Sequence, residues 1–482
     1  MQLKRGKSIE ITDQITPEVA GIIASWIGCY TVIKNQKTQQ AKTDYHHWLD
    51  AGSDIDVRPK TNTQVAYLSA ELPFLKEVPS QIRRNAGAKW FEAMNAAKSG
   101  LRKQPTIRKK HQKRNCYVTN ELFDVQHIDD DRCLIQLKDN AMKGSRSRVI
   151  TGFVMPFSKE NAGNSLFLSR QGSRFWLSMS FDKVFDVLSQ KKVKERVVSL
   201  GDDEFLANTL GFDLGVVQQA TDSNGFVYHL DDLGQVKLTK LEQKTKRYQR
   251  RCARIFRANE RVLGKKHNRT NGEKKALGKV AKIKAKITSI NHNNVHQLSK
   301  QIADNTPLVA VFENMNISNL LKAPKAKLCP ETGKWLRNGR AAKRGLNRVI
   351  SSANMGKIRQ FSEYKLIERG KLFLTVKTAY SSQTCSDCGF CDKGNRLTQE
   401  KFSCLSCSHT ENADVNAAKV LKQRGLQHIR SEKFTVVKTV RKTSARRMVA
   451  REKASIGCGD NVRLSFEKAT VDDALNIRST AA

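Results

Sequence analysis

The sequence lacks any apolar run long enough to cross a lipid bilayer. Its longest uncharged stretch, from Val19 to Ile33, is too short and too mixed for a membrane span, so it predicts a buried helix instead. The start, from Met1 to Glu10, has no apolar segment of the kind that directs secretion. These absences argue against a membrane protein and against a secreted one.

Acidic residues are also scarce. The chain has 46 Asp and Glu against 86 Lys and Arg, which gives a formal net charge of +40. This excess is far larger than solubility requires, and it predicts a large polyanion as partner. Nucleic acid is the simplest such partner, and an anionic membrane surface is the weaker alternative.

The 11 cysteines show no disulfide framework, because most of them are scattered singly along the chain. Four stand in two C-x-x-C pairs instead, Cys385 with Cys388 and Cys404 with Cys407, separated by 15 residues. This spacing is typical of a structural zinc ribbon with four thiolate ligands. The pattern therefore predicts a reducing compartment and one bound Zn²⁺.

Three alternatives remain open for these cysteines. A single C-x-x-C pair is also found in redox dithiols. Cys391 lies three residues after Cys388, so the spacing alone allows it into the first half-site, for which we select Cys385 and Cys388. His409 follows Cys407 closely and could replace a thiolate ligand.

The hydrophobic pattern changes along the 482 residues, which are enough for two to four domains. Residues 1–120 are predicted to be mainly helical, with apolar side chains between Ile82 and Ala97 on one face of a helix that starts near Pro79. Short β-rich runs over 121–205 predict a small antiparallel barrel or sheet. Strands and helices alternate from 206 to 380, so the predicted fold class is α/β plus β.

Eight strands are predicted from these runs. They are Cys133–Leu137, Val149–Val154, Leu166–Leu168 and Phe175–Phe181 in the β-rich part, then Leu210–Val217, Gly225–His229, Leu308–Phe312 and Phe373–Val376. Leu210–Val217 and Gly225–His229 are expected to pair with each other.

A strongly basic segment interrupts the α/β part. Residues 237–286 contain 19 Lys or Arg and three acidic residues, and their apolar positions keep a helical period around a break near 264–272. The pattern predicts a basic helical hairpin. A charged helix face is usually only solvated, but charges of one sign at this density repel each other, which favours contact with nucleic acid.

Three acidic residues stand at predicted strand or helix ends. Asp213 lies in the first α/β strand, Glu313 directly follows the apolar strand Leu308–Phe312, and Asp414 opens a predicted helix. Taken singly, each is explained by a turn, an exposed position or a helix cap. Taken together, three carboxylates suffice to hold Mg²⁺ or Mn²⁺ for phosphodiester hydrolysis.

Four motifs of this part resemble the successive motifs of the TnpB family, which are transposon-associated RNA-guided nucleases related to miniature type V CRISPR effectors. They are Phe212-Asp-Leu-Gly215, Phe312-Glu-Asn-Met-Asn316, Tyr380-Ser-Ser-Gln-Thr-Cys-Ser-Asp-Cys-Gly389 and Asn412-Ala-Asp-Val-Asn-Ala-Ala418. The similarity is specific from about 208 to 422. Two features depart from the family pattern: the additional thiol of Cys391, and the segment from Pro324 to Arg344, which stands where the family has a mobile lid.

The resemblance implies an RNase H-like nuclease domain of the RuvC type. Asp213, Glu313 and Asp414 would be its catalytic metal-binding carboxylates, and the four cysteines would form a ribbon inserted before the last carboxylate. The implied organisation begins with a helical recognition region over 1–120, whose first residues are free to join the barrel, and a wedge-like barrel over 121–205. The nuclease follows over 206–380, with a helical insertion at 237–300. After it come the ribbon over 381–410, a last nuclease helix over 411–424 and a basic, partly disordered tail over 425–482.

The resemblance also implies a function. We expect an RNA-guided DNA endonuclease of a transposable element, with a guide RNA and double-stranded target DNA as partners and one protein monomer per guide RNA. The expected location is the nucleoid of a prokaryotic cytoplasm, without membrane contact. Two alternatives remain, an RNA-guided DNA-binding repressor without cleavage and a transposase acting on element ends.

Overall fold

A computed structural model gives the fold of the chain. It describes residues 2–50, 61–109, 112–140, 148–229, 232–264, 268–377, 379–396 and 398–431. The chain divides into two units, Met1–Asp186 and Val187–Ala482. None of the helices in those described ranges is apolar over a stretch long enough for a membrane span. The predicted disorder of the basic tail falls, from residue 432 onward, outside the described residues.

The first unit combines long helices with antiparallel strands. Its elements are β1 (Gln2–Glu10), α1 (Pro17–Asp50), α2 (Leu68–Glu71), α3 (Ser80–Lys98), β2 (Arg114–Thr119), β3 (Phe123–Asp129), β4 (Arg132–Asp139), β5 (Arg148–Met155), β6 (Ala162–Gln171) and β7 (Arg174–Val184). The predicted buried helix lies within α1, and the helix predicted to start near Pro79 is observed as α3. The indole N–H of Trp90 on α3 donates to the hydroxyl of Thr38 on α1 at 3.0 Å, which ties the two helices together.

Two antiparallel sheets form the rest of this unit, with strand orders β1-β7-β6-β2 and β3-β4-β5. β1 pairs with β7 along its whole length, from Gln2 opposite Val184 to Glu10 opposite Trp176. Every second side chain of β4 is buried, at Cys133, Ile135 and Leu137, as expected for a sheet with one face on the core. The four strands predicted in the β-rich part are therefore confirmed.

The second unit alternates strands and helices. Its elements are α4 (Gln190–Ser199), α5 (Asp202–Ala207), β8 (Thr209–Asp213), β9 (Ala220–Asp222), β10 (Val227–Tyr228), α6 (Asp232–Leu263), α7 (Asn271–Asn305), β11 (Val309–Glu313), α8 (Ile317–Leu320), α9 (Arg340–Ala353), α10 (Met355–Glu368), β12 (Leu372–Val376), β13 (Lys401–Ser403), β14 (Thr410–Asn412) and α11 (Ala413–Arg430).

The central sheet of this unit has the order β10-β9-β8-β11-β12. β8, β9 and β10 are antiparallel neighbours, while β11 runs parallel to both β8 and β12. The predicted direct pairing of Leu210–Val217 with Gly225–His229 is wrong, because β9 lies between β8 and β10. β9 has only three residues, Ala220–Asp222, and such a short strand leaves no periodic signal in the sequence.

Helices cover both faces of the sheet, so its interior strand β11 is buried on both sides. Ala310 and Phe312 pack in one core with Ile302 of α7 and Ile358 of α10. Val309 and Val311 face the other way and pack in a second core with side chains of α4, α5 and α11. This is why the strand reads as a continuous apolar run rather than an alternating one.

Helix α11 lies unusually close to β8. A Cβ atom at Gly211 would stand 2.0 Å from the backbone oxygen of Ala418, a distance that no side chain tolerates. The glycine therefore allows backbone-to-backbone contact between β8 and α11. This contact fixes the helix that carries Asp414 against the strand that carries Asp213.

The predicted basic hairpin is observed as the helices α6 and α7. Thr270 caps α7 with a capping box, since its hydroxyl accepts from the backbone of Glu273 and the Glu273 carboxylate accepts from the backbone of Thr270. The two helices share a small core that contains Cys252, Ala276 and Val280. Most other side chains of α6 are exposed, so its cations face solvent.

Candidate active site and cysteine cluster

Asp213 is the last residue of β8 and therefore lies at the carboxyl end of this strand of the central sheet. Burial raises the pKa of Asp213 from 3.8 to about 7, the negative charge of Asp414 adds to this rise, and Arg396 opposes it. Gly215, two residues later, leaves room for the backbone oxygen of Gln218, which would stand 2.4 Å from a Cβ atom there. The chain therefore turns tightly just beyond the carboxylate.

Glu313 is the last residue of β11, the parallel neighbour of β8. Parallel strands end at the same edge of a sheet, so the two carboxylates are neighbours. Burial raises the pKa of Glu313 from 4.5 to about 8, and the charge of Asp213 adds to it. The side chain is buried, and its Oε1 atom has no hydrogen-bond partner. A buried carboxylate oxygen without a partner is costly unless a cation or water binds it.

Asp414 lies in the first turn of α11 but does not cap that helix. Asn412 is the N-cap residue, and its side-chain oxygen accepts from the backbone N–H of Asp414 at 2.9 Å and of Val415 at 3.3 Å. The carboxylate of Asp414 lies 3.7 Å from the Arg396 guanidinium. Burial raises the pKa of Asp414, which Arg396 opposes and Glu400 reinforces.

One cleft of about 420 Å³ is lined by Asp213, Glu313 and Asp414 together. The structure thus brings together three side chains that are far apart in the sequence. Their oxygens do not form a single tight cage: in the described part of the chain, the group whose ligand atoms all lie within 4.8 Å of one another is the cysteine cluster.

Two charged residues of this cleft are absent from the sequence prediction. Arg396 and Glu400 both line it, although both belong to the segment between the two cysteine pairs. Arg396 also donates to the backbone oxygen of Gln399 at 2.8 Å, which orients the guanidinium. Neither position follows a strand or opens a helix, so no local pattern in the sequence distinguishes it from a solvated loop residue.

The four paired cysteines lie together, with their sulfur atoms all within 4.8 Å of one another. Cys385 Sγ lies 3.7 Å from Cys407 Sγ, and Cys388 Sγ lies 3.6 Å from Cys404 Sγ. A disulfide would bring two sulfurs to about 2 Å. Four thiolates at about 2.3 Å from a zinc ion would lie about 3.8 Å apart in a tetrahedron. The observed spacing therefore fits a tetrahedral metal site.

The two cysteine pairs adopt the same backbone geometry. In the first, the N–H of Gly389 donates to the oxygen of Cys385 at 3.1 Å, and in the second Ser408 donates to Cys404 at 3.1 Å. Gly389 and Ser408 both have a positive φ, of 76° and 62°. Each turn also points a backbone N–H at a sulfur, since Ser406 N lies 3.4 Å from Cys404 Sγ. Burial alone would raise the pKa of Cys404, but backbone N–H groups together with the thiols of Cys388 and Cys407 lower it to about 6.

The two competing ligands lie outside this cluster. Cys391 is exposed and is not one of the four grouped sulfurs. His409 places its Nε2 atom 3.5 Å from a carboxylate oxygen of Glu411, and its backbone oxygen accepts from Cys404 at 2.8 Å. The four thiols are therefore the residues that could hold a metal ion here.

Comparison with known proteins finds relatives that are named as RNA-guided DNA endonucleases or as TnpB-like. A family model described as Cas12f1-like, TNB domain, matches residues 356–421. A putative RNA-guided DNA endonuclease InsQ of Escherichia coli strain K12 is 32% identical over 213 residues, which is 44% of this chain and 48% of that protein. A TnpB-like protein of Aquifex aeolicus strain VF5 is 25% identical over 164 residues, 32% of this chain and 47% of that protein.

Among solved structures, a Cas12f1–sgRNA–target DNA complex matches 84% of this chain and 83% of that one, at 13% identity and a TM-score of 0.48. The chain spans about half the length of the curated relatives named above. The resemblance to the TnpB family, predicted from the four motifs, is confirmed by the matching family model and by the names of these relatives.

Proposed function

We propose that this chain is an RNA-guided DNA endonuclease of a transposable element, which hydrolyses phosphodiester bonds of target DNA with carboxylate-bound divalent ions. The relatives named above support the RNA-guided DNA-cutting activity. The sheet topology of the second unit supports an RNase H-like nuclease domain of the RuvC type. Such a domain has three antiparallel strands followed by two parallel strands with helical connections. The order β10-β9-β8-β11-β12 agrees with this arrangement.

The observation that carries the proposal is the unpartnered Oε1 of Glu313 beside Asp213, in a cleft that Asp414 also lines. Each of these carboxyl groups has a raised pKa because it is buried near another negative charge. Such a site resists ionisation until cations enter it. Oxygen-only ligands of this kind fit Mg²⁺ or Mn²⁺.

Asp213, Glu313 and Asp414 would hold these ions, which when bound supply an activated water and stabilise the leaving oxygen of a phosphodiester. The chain's own contribution is position and charge. The sheet edge fixes Asp213 and Glu313 on adjacent strands, and Asn412 leaves Asp414 free for the cleft by taking the cap of α11. Arg396 places a positive charge 3.7 Å from Asp414, where a phosphate would enter.

We assign Zn²⁺ to the four cysteines, because their spacing and paired turns fit a structural tetrahedral site. The ribbon would hold Arg396 and Glu400 at the cleft. The remaining roles in the proposal are a recognition region over 1–120, a wedge-like part over 121–205, and a guide RNA bound largely by electrostatic contact, which the +40 charge would support.

The test is reconstitution with the protein's own RNA. RNA that copurifies with the full chain is sequenced, a plasmid that carries the matching target beside a randomised flank is supplied, and cleavage is followed in Mg²⁺ and in EDTA. We expect cleavage that requires both the matching target and the metal ion. Metal-independent binding without cleavage would replace this proposal with a repressor, and strand joining of element ends would replace it with a transposase.

A further inference from the structure

The segment between α8 and α9 forms a small β-hairpin that the nuclease chemistry leaves unexplained. Leu328 and Trp335 face each other in an antiparallel bridge. The N–H of Cys329 donates to the oxygen of Lys334 at 2.9 Å, and that of Gly333 to the oxygen of Cys329 at 3.0 Å. Gly333 has a φ of 60°, which a glycine accepts readily. The hairpin tip is therefore a defined turn.

The base of the hairpin is fixed to the wall of the acidic cleft. The side-chain amide of Asn338 donates to the oxygen of Lys325 at 3.2 Å, which closes the loop. The side-chain amide of Asn347 on α9 donates to the oxygen of Leu321 at 2.6 Å, which ties α9 to the end of α8. Leu320 of α8 and Leu346 of α9 both line the cleft. The hairpin thus leaves the cleft wall and returns to it.

Large apolar side chains of this hairpin face solvent. Trp335 is 68% exposed, Leu336 is 50% exposed and Leu328 is 51% exposed. None of these three side chains belongs to the two hydrophobic cores described for the second unit. An indole ring that is exposed to solvent on a defined turn is a feature of binding surfaces. Its apolar surface is buried only when a partner binds, so its burial contributes free energy to binding rather than to folding.

The surrounding charge indicates the class of partner. Residues 322–348 contain nine Lys or Arg and one acidic residue, Glu331. Cations interleaved with an exposed aromatic ring are how proteins bind single-stranded nucleic acid, with phosphates on the cations and a base on the ring. An intact duplex offers no free base face to such a ring.

We propose that the hairpin from Lys327 to Leu336 is a stacking platform for an unpaired base of a single strand passing to or from the acidic cleft. Trp335 stacks on the base, and Lys334, directly before the ring in the sequence, and Arg337, two residues after it, bind the adjacent phosphates. The proposal deepens the nuclease proposal above and rests on it for the identity of the strand, but not for the binding itself.

The test measures strand binding by the full chain with its copurified RNA, without added Mg²⁺ or Mn²⁺ so that no cleavage occurs. The probe is fluorescent oligo(dT) of about 12 nucleotides, within the usual site size for single strands. We expect Trp335→Ala to weaken oligo(dT) binding about 5- to 100-fold, the effect of one lost base stack. Trp335→Phe should restore most of the affinity. Val198→Ala, at a 40% exposed apolar position on α4, is the matched control and should bind as wild type.

A fully paired DNA of the same length should bind the wild type and Trp335→Ala equally. Photocrosslinking of 5-iodouracil in the oligonucleotide, mapped by mass spectrometry, should mark Trp335 in the unmutated protein. Unchanged oligo(dT) affinity in Trp335→Ala together with no crosslink at Trp335 would overturn the proposal. The proposal would also be overturned if Trp335→Ala lost binding to anionic lipid vesicles while its binding to oligo(dT) stayed unchanged. That result would identify a membrane surface as the partner.

The outcomes also separate this proposal from the nuclease proposal. If Trp335 governs oligo(dT) binding but no guided cleavage is found, the platform stands and the nuclease assignment fails. If guided cleavage is found while Trp335→Ala binds and crosslinks as wild type does, the nuclease assignment stands and the platform fails.

Discussion

The side-chain oxygen of Asn416 accepts a hydrogen bond from the backbone N–H of Ser386 at 2.9 Å. The amide nitrogen of the same side chain donates to the backbone oxygen of Thr384 at 2.8 Å. Ser386 lies between the first two cysteines, and Asn416 lies on α11, two residues after Asp414. One buried side chain therefore fixes the first cysteine turn against the helix that carries an acidic residue of the cleft.

We expect Asn416→Ala to weaken both the cysteine cluster and the cleft. The substitution leaves the N–H of Ser386 and the oxygen of Thr384 without their partner, at a cost of roughly 1–3 kcal/mol for each buried group. The melting temperature, the zinc content and the guided cleavage rate should fall together. Gln423→Ala is the control, because this exposed residue makes one bond to the ribbon, at 2.6 Å to the oxygen of Ser386, which water can replace. Wild-type stability of Asn416→Ala would contradict the structural link.

Asp213→Ala should abolish guided cleavage and leave RNA-dependent target binding near normal. The carboxylate is proposed to hold divalent ions, whereas affinity for nucleic acid is proposed to come from the basic surface of the chain. The expected loss of rate is at least about 10²–10³-fold, the scale seen when one electrostatic stabiliser of a transition state is removed. Asp203→Ala, at an exposed position on α5, is the control and should cut normally. Wild-type cleavage by Asp213→Ala would refute the assignment.

Without Mg²⁺ or Mn²⁺ at the carboxylates, the protein should lose stability as the pH rises. Asp213 and Glu313 have pKa values of about 7 and about 8 in the folded chain, against ordinary values of 3.8 and 4.5. The folded state therefore binds their protons more tightly than the unfolded state does. Their contribution to stability is complete below pH 4 and is lost as the pH rises through 7 and 8.

Thermal unfolding from pH 5 to pH 8.5, without added Mg²⁺ or Mn²⁺, measures this effect. The melting temperature should fall by several degrees, Mn²⁺ should reverse the fall, and the double variant Asp213→Asn/Glu313→Gln should show neither response. A melting temperature that rises over this pH range without added ions would contradict the raised pKa values.

The sequence predicts the secondary structure of this chain better than the contacts between its segments. The apolar runs locate β8 and β11, and the C-x-x-C spacing locates the thiol cluster, because these signals are local. The pairing of β1 with β7, the link from Asn416 to Ser386 and the position of Arg396 at the cleft join residues that are distant in the sequence. No periodicity encodes such contacts, so only the fold reveals them. The assignment of catalytic roles to Asp213, Glu313 and Asp414 stays a prediction.

Arg396→Gln should move the pH dependence of cleavage to higher pH. The guanidinium lowers the pKa of both Asp213 and Asp414, so its removal leaves these carboxylates harder to ionise. The rate at a saturating Mg²⁺ concentration should reach half its maximum at a higher pH than in the wild type. Arg396→Lys, which keeps the charge, should recover part of the shift. An unchanged pH profile in Arg396→Gln, whatever its maximal rate, would show that Arg396 does not act through the carboxylates.

Cys404→Ser should remove the bound zinc ion and with it the soluble, active protein. A structural zinc site contributes its binding free energy to folding, so a chain with one ligand less loses much of that stabilisation. Cys391→Ser provides a matched control within the same ribbon, because this exposed thiol lies outside the group of four. Metal analysis should find one zinc ion per chain in the wild type and in Cys391→Ser, and a large reduction in Cys404→Ser. Zinc lost from Cys391→Ser would mean that the first half-site uses the other cysteine spacing, and zinc retained in an active Cys404→Ser would contradict the assignment of Cys404 as a ligand.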